Sequence, residues 1–302
     1  MESTGNMSRG NMLSGAEAMV RMLQAYDVNH IFGLCGDTTL PFYDALARLD
    51  HDIVHYLTRD ERHAAYMADG YARACGRPGV TFAQCVGAAN LAAALRDPWL
   101  ACSPVIALTG GPYHDTRHRH TYQEIDDFPL FGPVTKSSAR VEDIVRLPDV
   151  LRQAFRAATS GTPGPAHIEL LGHMGEIEQE TADFDLLAEP SYSGVPAVRT
   201  SADPESVAQA VRLLEEARRP VIVVGGGARW SNAGAEVLQL AETLAIPLAT
   251  SLNAKDLVPG DHRLNVGVPG HYCRKSANQV VLDADLVFFV GSHTGSQVTC
   301  RW

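Results

Sequence analysis

The sequence lacks any long apolar run. No stretch of about 18 apolar residues, the length that a membrane-spanning helix needs, occurs among its 302 residues. The opening segment MESTGNMSRGNMLS also lacks the apolar core of a signal peptide. We therefore expect no membrane partner, a cytoplasmic location, and a disordered leader over residues 1–12.

Basic residues are scarce as well. The chain carries 25 Lys and Arg against 35 Asp and Glu, a formal net charge of −10. No Lys/Arg cluster interrupts this acidic balance, and binding to a polyanion depends on such clusters. The sequence therefore predicts no nucleic-acid partner.

Paired cysteines are missing. The six cysteines form no C-x-x-C motif and have no ligand spacing with histidine. Several lie in apolar segments, so we expect reduced, buried thiols. Three histidines, His114, His118 and His120, lie in a segment with no helical pattern, and we predict no metal site there.

What the sequence does contain is an alternation of apolar segments and helical patterns. At 302 residues it is long enough for two domains. The predicted strands are residues 30–34, 52–57, 79–84, 104–109, 166–171, 220–225, 247–251 and 285–291. Helical patterns between the strands predict an α/β fold with two Rossmann-like or flavodoxin-like units. Each should have a mostly parallel sheet flanked by helices.

Two segments break this alternation. Residues 112–133 are polar and irregular, and a loop of this length in a compact domain is usually functional. Within it, Arg117 and Arg119 could bind a substrate carboxylate or lie in water. Residues 173–200 are acidic and rich in Pro, Gly and Ser, which predicts a linker between domains over 13–172 and 201–302.

Glu61 lies where a predicted strand meets a predicted helix. In open α/β folds, this edge of the sheet binds ligands. A purely structural interpretation is that Thr58-x-x-Glu61 forms a capping box, in which both side chains satisfy free backbone N–H groups. From these residues alone, capping is the favoured interpretation.

Six segments of the sequence change the favoured interpretation of Glu61. They are GAEAMVRMLQAYDVNHIFGLCGD (15–37), RDERHAAYMADGYARACGRPGV (59–80), VGAANLAAALRDPWLACSPVIALTGG (86–111), YQEIDDFPLFGPVTK (122–136), SGTPGPAHIELL (160–171) and RPVIVVGGGARWSNAG (219–234). In this order and spacing, the chain resembles the acetolactate synthase-like family of thiamine diphosphate enzymes. The resemblance implies that Glu61 is the cofactor-activating glutamate, which can also cap its helix. Asp60, Asp69 and Glu124 are the rival carboxylates.

The resemblance also implies a set of cofactor contacts. In the turn after residues 79–84, Cys85 and Val86 replace a glycine and a proline of the family, whereas Gly87 is kept. A second turn, Leu34-Cys35-Gly36, replaces a proline-bearing turn near the cofactor. The expected cofactor-binding residues are Cys35, Gly36, Gln84, Gly87, Asn90, Gln123, Gly225, Gly226 and Gly227. The last three could hold FAD or another adenine nucleotide, or could simply allow close packing.

The family anchors the cofactor's diphosphate through Mg²⁺ with a G-D-G motif, and this sequence contains no G-D-G. We therefore expect the C-terminal diphosphate-binding domain and the metal site to be absent from this chain. The second unit should also be incomplete, with three of the family's six strands. A homodimer, a homotetramer or a separate C-terminal component chain would then complete the site.

These features predict the N-terminal portion of a thiamine diphosphate-dependent 2-oxo acid decarboxylase or carboligase, inactive without its C-terminal half. One alternative is a non-catalytic nucleotide-binding or interaction module with the same fold. Another is a related thiamine-dependent lyase or transferase, such as an oxalyl-thioester decarboxylase or a sulfoacetaldehyde acetyltransferase.

Overall fold

A computed structural model describes residues 12–299. The chain folds as two compact units, one ending at Val198 and one beginning at Arg199. Residues 1–11 of the predicted leader lie outside the described residues, and Met12 already belongs to a strand. Within the described residues, no helix is both long and apolar enough to cross a bilayer.

The first unit alternates strands with helices. Its strands are β1 (Met12–Ser14), β2 (His30–Gly33), β3 (Val54–Leu57), β4 (Gly79–Ala83), β5 (Val105–Gly111), β6 (Ser137–Val141), β7 (Ala166–Leu171) and β8 (Thr181–Asp183). Its helices are α1 (Gly15–Ala25), α2 (Leu40–Arg48), α3 (Glu61–Cys75), α4 (Ala88–Ala94), α5 (Arg96–Ala101), α6 (Leu147–Thr159) and α7 (Glu176–Gln179). Ser14 and Glu17 form a reciprocal capping box at the start of α1.

Six of these strands form one parallel sheet in the order β3-β2-β4-β5-β7-β6. The chain leaves β2 towards β3 on one side and leaves β4 towards β5 on the other. The order therefore reverses between β2 and β4, and ligands of open α/β sheets bind at the carboxyl ends of such strands. Side chains of α1, α2 and α6 pack together in one buried core, and those of α3 and α4 in another.

The segment expected to be a linker is partly built into this unit. It contains α7 and then β8, which pairs antiparallel with β1. Ile177 and Glu178 are buried in the process. Sequence periodicity missed both elements because each is too short to repeat its pattern.

The second unit has a four-stranded parallel sheet in the order β11-β10-β9-β12. Its strands are β9 (Pro220–Val224), β10 (Leu248–Thr250), β11 (Asn265–Gly267) and β12 (Leu286–Val290). Its helices are α8 (Pro204–Glu216), α9 (Gly226–Trp230), α10 (Gly234–Leu244), α11 (Lys275–Asp283) and α12 (Ser296–Thr299). The prediction of three strands here is wrong: β11 was missed because its three residues show no apolar alternation.

Candidate functional site

The turns that follow β2 and β4 lie side by side, because these strands are neighbours and Gly33 pairs with Phe82 near their carboxyl ends. Gly36 lies so close to Gln84 that a Cβ on Gly36 would come within 2.3 Å of that side chain. The Gln84 amide oxygen in turn accepts the Asp37 N–H at 3.1 Å. The predicted residues Gly36 and Gln84 are thus brought together.

The start of α3 shows how the Glu61 carboxylate is used. Asp60 is the N-cap residue, and its carboxylate accepts the Arg62 N–H at 2.8 Å. The Thr58 hydroxyl donates instead to the Asp60 carbonyl at 3.1 Å. The predicted Thr58–Glu61 capping box is therefore wrong, because Asp60 directly precedes the helix and takes the capping role. The Glu61 carboxylate is left for another contact.

That contact is with the turn after β4. Glu61 is only 6% exposed, and its Oε2 accepts a hydrogen bond of 3.0 Å from the Asn90 side-chain amide. Its Oε1 lies against Gly87, where an added Cβ would stand 2.4 Å away. Only glycine leaves room for the carboxylate here. No described residue donates a hydrogen bond to Oε1, so a polar ligand could use it.

The rival carboxylates are occupied. Asp60 forms a two-point ion pair with Arg62, whose hydrogen bonds hold the pKa of Asp60 well below its usual range. Asp69 is bound by Arg73 at 2.9 Å. Glu124 accepts the backbone N–H groups of His118 and Thr121 within its own loop, and the N–H of His118 is the main cause of its lowered pKa. Of these carboxylates, Glu61 is the one that faces the turn.

Gln123 also reaches this turn. Its carbonyl accepts the Cys85 thiol at 3.1 Å, and its backbone lies in the left-handed region with φ 59°. The side-chain Oε1 is buried and finds no hydrogen-bond partner among the described residues. The structure therefore places Gln123 beside the turn that carries Gly87.

Cys85 is the one fully buried thiol among the described cysteines, all of which are free. Burial raises its pKa to about 11. Cys35, Cys75 and Cys273 are exposed, which corrects the expectation of uniformly buried thiols. Cys35 follows β2 and directly precedes Gly36 in the chain.

Sequence reasoning missed Thr38. Its hydroxyl accepts the Cys85 N–H at 3.0 Å, and Thr38 itself is 1% exposed. Gly110, near the end of β5, makes room for it: a Cβ there would stand 2.2 Å from the Thr38 side chain. The available signal was its position, since Thr38 follows the strand at which the sheet order reverses.

The two arginines of the irregular loop differ in burial. Arg119 is exposed, whereas Arg117 is half-buried, with its Nη2 buried and without a hydrogen-bond partner in the described residues. Burial raises the pKa of the Glu169 carboxyl, whereas Arg140 and, to a smaller degree, Arg117 act to lower it. Of the two, Arg117 is the better placed to meet a carboxylate. The described residues contain no group of three or more His, Cys, Asp or Glu side chains suited to a metal.

In the second unit, Gly225 to Gly227 follow β9 as predicted. A Cβ on Gly225 would stand 2.2 Å from the Gly291 carbonyl oxygen, and one on Gly227 would stand 3.0 Å from the Gly291 Cα. The α9 helix after them has five residues. Close packing against the end of β12 thus accounts for Gly225 and Gly227, and nucleotide binding here stays a prediction.

Comparisons with known proteins identify the family that this chain matches. Residues 13–130 match the family described as thiamine pyrophosphate enzyme, N-terminal TPP binding domain, and residues 207–301 match its central domain. The probable acetolactate synthase large subunit of Methanocaldococcus jannaschii is 39% identical over 292 residues, 95% of this chain and 48% of the relative.

Two further relatives give similar values. The probable acetolactate synthase large subunit of Methanococcus aeolicus is 35% identical, with 95% of this chain and 48% of the relative covered. Acetolactate synthase isozyme 1 large subunit of Escherichia coli (strain K12) is 34% identical, with 97% and 50% covered. The chain spans about half the length of the curated relatives it matches.

Proposed function

This chain belongs to the acetolactate synthase-like thiamine diphosphate enzymes, and on that premise we propose that it supplies the pyrimidine side of the cofactor site in a 2-oxo acid decarboxylase or carboligase. One observation carries the proposal. The Glu61 carboxylate is buried, held by Asn90 over Gly87, and keeps one oxygen without a hydrogen-bond donor from the described residues.

The residues present fit the pyrimidine half of the cofactor. When bound, thiamine diphosphate supplies a carbanion that adds to a carbonyl and then stores the electrons released by decarboxylation. For this, Glu61 would hold and share a proton at a pyrimidine ring nitrogen through Oε1. Asn90 fixes the carboxylate by its bond to Oε2. Partial exclusion of water strengthens both contacts, because the local dielectric is lower than in water.

Other residues orient the ligand. Gly36 and Gln84 bring the turn after β2 against the turn after β4, and Gln123 adds an unpartnered amide oxygen. In our proposal these groups contact the cofactor or a small 2-oxo acid substrate. Cys35, whose side chain is exposed, stays a predicted contact.

The other half of the site would come from residues outside this chain. We place the diphosphate and its Mg²⁺ there, because Mg²⁺ bridges phosphates through hard oxygen ligands and the sequence contains no G-D-G motif. A second protomer or a further polypeptide segment would then face Glu61. The exposed apolar side chains of Tyr66 (48% exposed) and Met67 (41%), on the helix that begins at Glu61, support such a neighbour.

Replacement of Glu61 by glutamine tests the proposal. Glu61→Gln keeps the size of the side chain and its ability to accept from Asn90, but removes the proton-sharing group. In the chain completed by its C-terminal partner, with thiamine diphosphate, Mg²⁺ and pyruvate, we expect turnover to fall about 100-fold or more.

The matched control is Glu142→Gln, which alters an exposed glutamate elsewhere in the same unit and should leave turnover unchanged. Equal turnover in Glu61→Gln and the parent protein would contradict the proposal. A protein that binds no thiamine diphosphate would instead support the non-catalytic module. Turnover of an oxalyl thioester or a sulfonate, but not of pyruvate, would identify the related lyases or transferases.

A further inference from the structure

The residue that departs from the family's turn, Cys85, contacts more than the turn itself. Its side chain is 1% exposed, and its thiol lies 3.1 Å from the Gln123 carbonyl oxygen and 3.8 Å from that of Ile125. Its backbone N–H is anchored by the Thr38 hydroxyl at 3.0 Å. One buried residue therefore joins the turn after β2, the turn after β4 and the irregular loop.

The loop needs such support because its backbone is strained. His118, His120 and Gln123 all have positive φ, at 64°, 55° and 59°. Left-handed backbone is unfavourable for residues with a Cβ, and it persists only where surrounding contacts over-determine it. Three such residues within six positions will not hold their conformation unaided.

Two groups offset this strain. The Glu124 carboxylate accepts the N–H groups of His118 and Thr121, which fixes the first part of the loop. The Cys85 thiol fixes the second part at Gln123. Because burial raises the pKa of this thiol to about 11, it stays protonated at neutral pH and can donate. The family that this chain resembles has a glycine at this position, and a glycine would offer no such donor.

We propose that Cys85 is a positioning residue whose S–H group holds Gln123 against the turn after β4, on which Glu61 packs. The side-chain amide of Gln123 and the turn that carries Gly87 then keep a fixed distance from each other. Glu61 acts on the ligand directly, whereas Cys85 acts through Gln123. The role in catalysis rests on the proposed function; the mechanical coupling of loop and turn does not.

Hydrogen exchange on this chain tests the coupling. The loop amides of His118, Thr121 and Glu124 are hydrogen-bonded and so report its order. We expect Cys85→Ala to speed exchange over residues 116–126 by about tenfold, and Cys85→Ser to restore most of the protection because its hydroxyl can donate to the same carbonyl. Cys75→Ala, which removes an exposed thiol, is the control and should not change this segment.

The thermal midpoint of each variant separates local from global effects. Faster loop exchange in Cys85→Ala and protection in Cys85→Ser, at similar midpoints, supports the proposal. Unchanged loop exchange in Cys85→Ala overturns it, as does equal loss in the serine and alanine variants. If Cys85→Ala and Cys85→Ser both lose exchange protection across the whole first unit, Cys85 is a core residue and the positioning role is wrong.

Turnover assays on the chain completed by its C-terminal partner test the catalytic consequence. We expect Cys85→Ala to lower kcat/KM for pyruvate about tenfold, with thiamine diphosphate affinity within twofold of the parent and rescue by Cys85→Ser. A loss of cofactor affinity that serine does not rescue would contradict a role through Gln123. If Glu61→Gln keeps full activity while the exchange result holds, the proposed function fails and the coupling stands.

Discussion

At the scale of single residues, Gly87 determines whether Glu61 can occupy its position. The Glu61 carboxylate oxygen lies 2.4 Å from the position that a Cβ at residue 87 would take. Asn90, in the first turn of α4, donates a hydrogen bond to the same carboxylate. A glycine and an amide three residues apart thus set both the place and the orientation of one acid.

Gly87→Ala should therefore displace Glu61. The new Cβ would stand 2.4 Å from Oε1, a distance that side chains do not tolerate, so the carboxylate must move. We expect the affinity of the chain, completed by its C-terminal partner, for thiamine diphosphate to fall at least about tenfold, measured by isothermal titration calorimetry. The control is Gly132→Ala, because the space around Gly132 is open. Equal affinities for the two variants would show that the carboxylate's position does not matter.

At the scale of elements, the short helix α7 packs against the start of α2, which follows the turn after β2. Glu178 on α7 is 1% exposed, and its Oε2 accepts the Phe42 N–H in the first turn of α2 at 3.1 Å. Its Oε1 is buried without a partner among the described residues. Gly175, just before α7, packs on Pro41, where an added Cβ would stand 2.6 Å away.

This buried acid predicts a pH-dependent stability. Burial raises the pKa of Glu178 from 4.5 to about 8, although the Phe42 N–H opposes the shift. Below pH 4.5 the acid is protonated in both states and costs nothing. Between pH 4.5 and 8 only the unfolded chain loses this proton, so the free energy of unfolding falls as pH rises, by about 1.4 kcal/mol per pH unit.

Glu178→Gln should remove this dependence. The amide keeps the acceptor for Phe42 but does not ionise, so we expect the variant to be more stable than the parent at pH 8 and similar at pH 4.5. Denaturant unfolding of the chain at both pH values measures the difference. The exposed Glu142→Gln is again the control. A variant that is less stable at pH 8 would mean that Glu178 is ionised and stabilising.

At the scale of the whole molecule, the helix that presents Glu61 has one face packed and one face open. Ala64, Ala65 and Ala68 are buried in the core, whereas Tyr66 and Met67 remain exposed. Large apolar side chains beside a candidate site commonly mark an interaction surface. We therefore expect self-association through this face, in line with the proposed neighbour of Glu61.

Light scattering after size-exclusion chromatography tests this expectation. The double variant Tyr66→Ser with Met67→Lys should shift the chain from dimer to monomer, because it removes apolar area and adds a charge. Val145→Ser, which alters a 52% exposed apolar residue elsewhere in the first unit, should keep the parent mass. A parent protein that is already monomeric, or a variant that stays dimeric, would place any interface elsewhere.

The sequence by itself determined most of the α/β framework. Each of the eight predicted strands lies within two residues of an observed one, because buried parallel strands are short apolar runs bounded by turns. The position of Glu61 at a strand-to-helix junction followed from the same pattern. These features are local, so neighbouring residues in the chain suffice to predict them.

Only the tertiary structure decided how the side chains at that junction are used. Whether Glu61 caps its helix depends on Asp60 and on Asn90, which is 29 positions away along the chain. The contact of Cys85 with Gln123 spans 38 positions, and that of Glu178 with Phe42 spans 136. Contacts of this kind leave no periodic signal, because they arise where separate elements meet at one edge of the sheet.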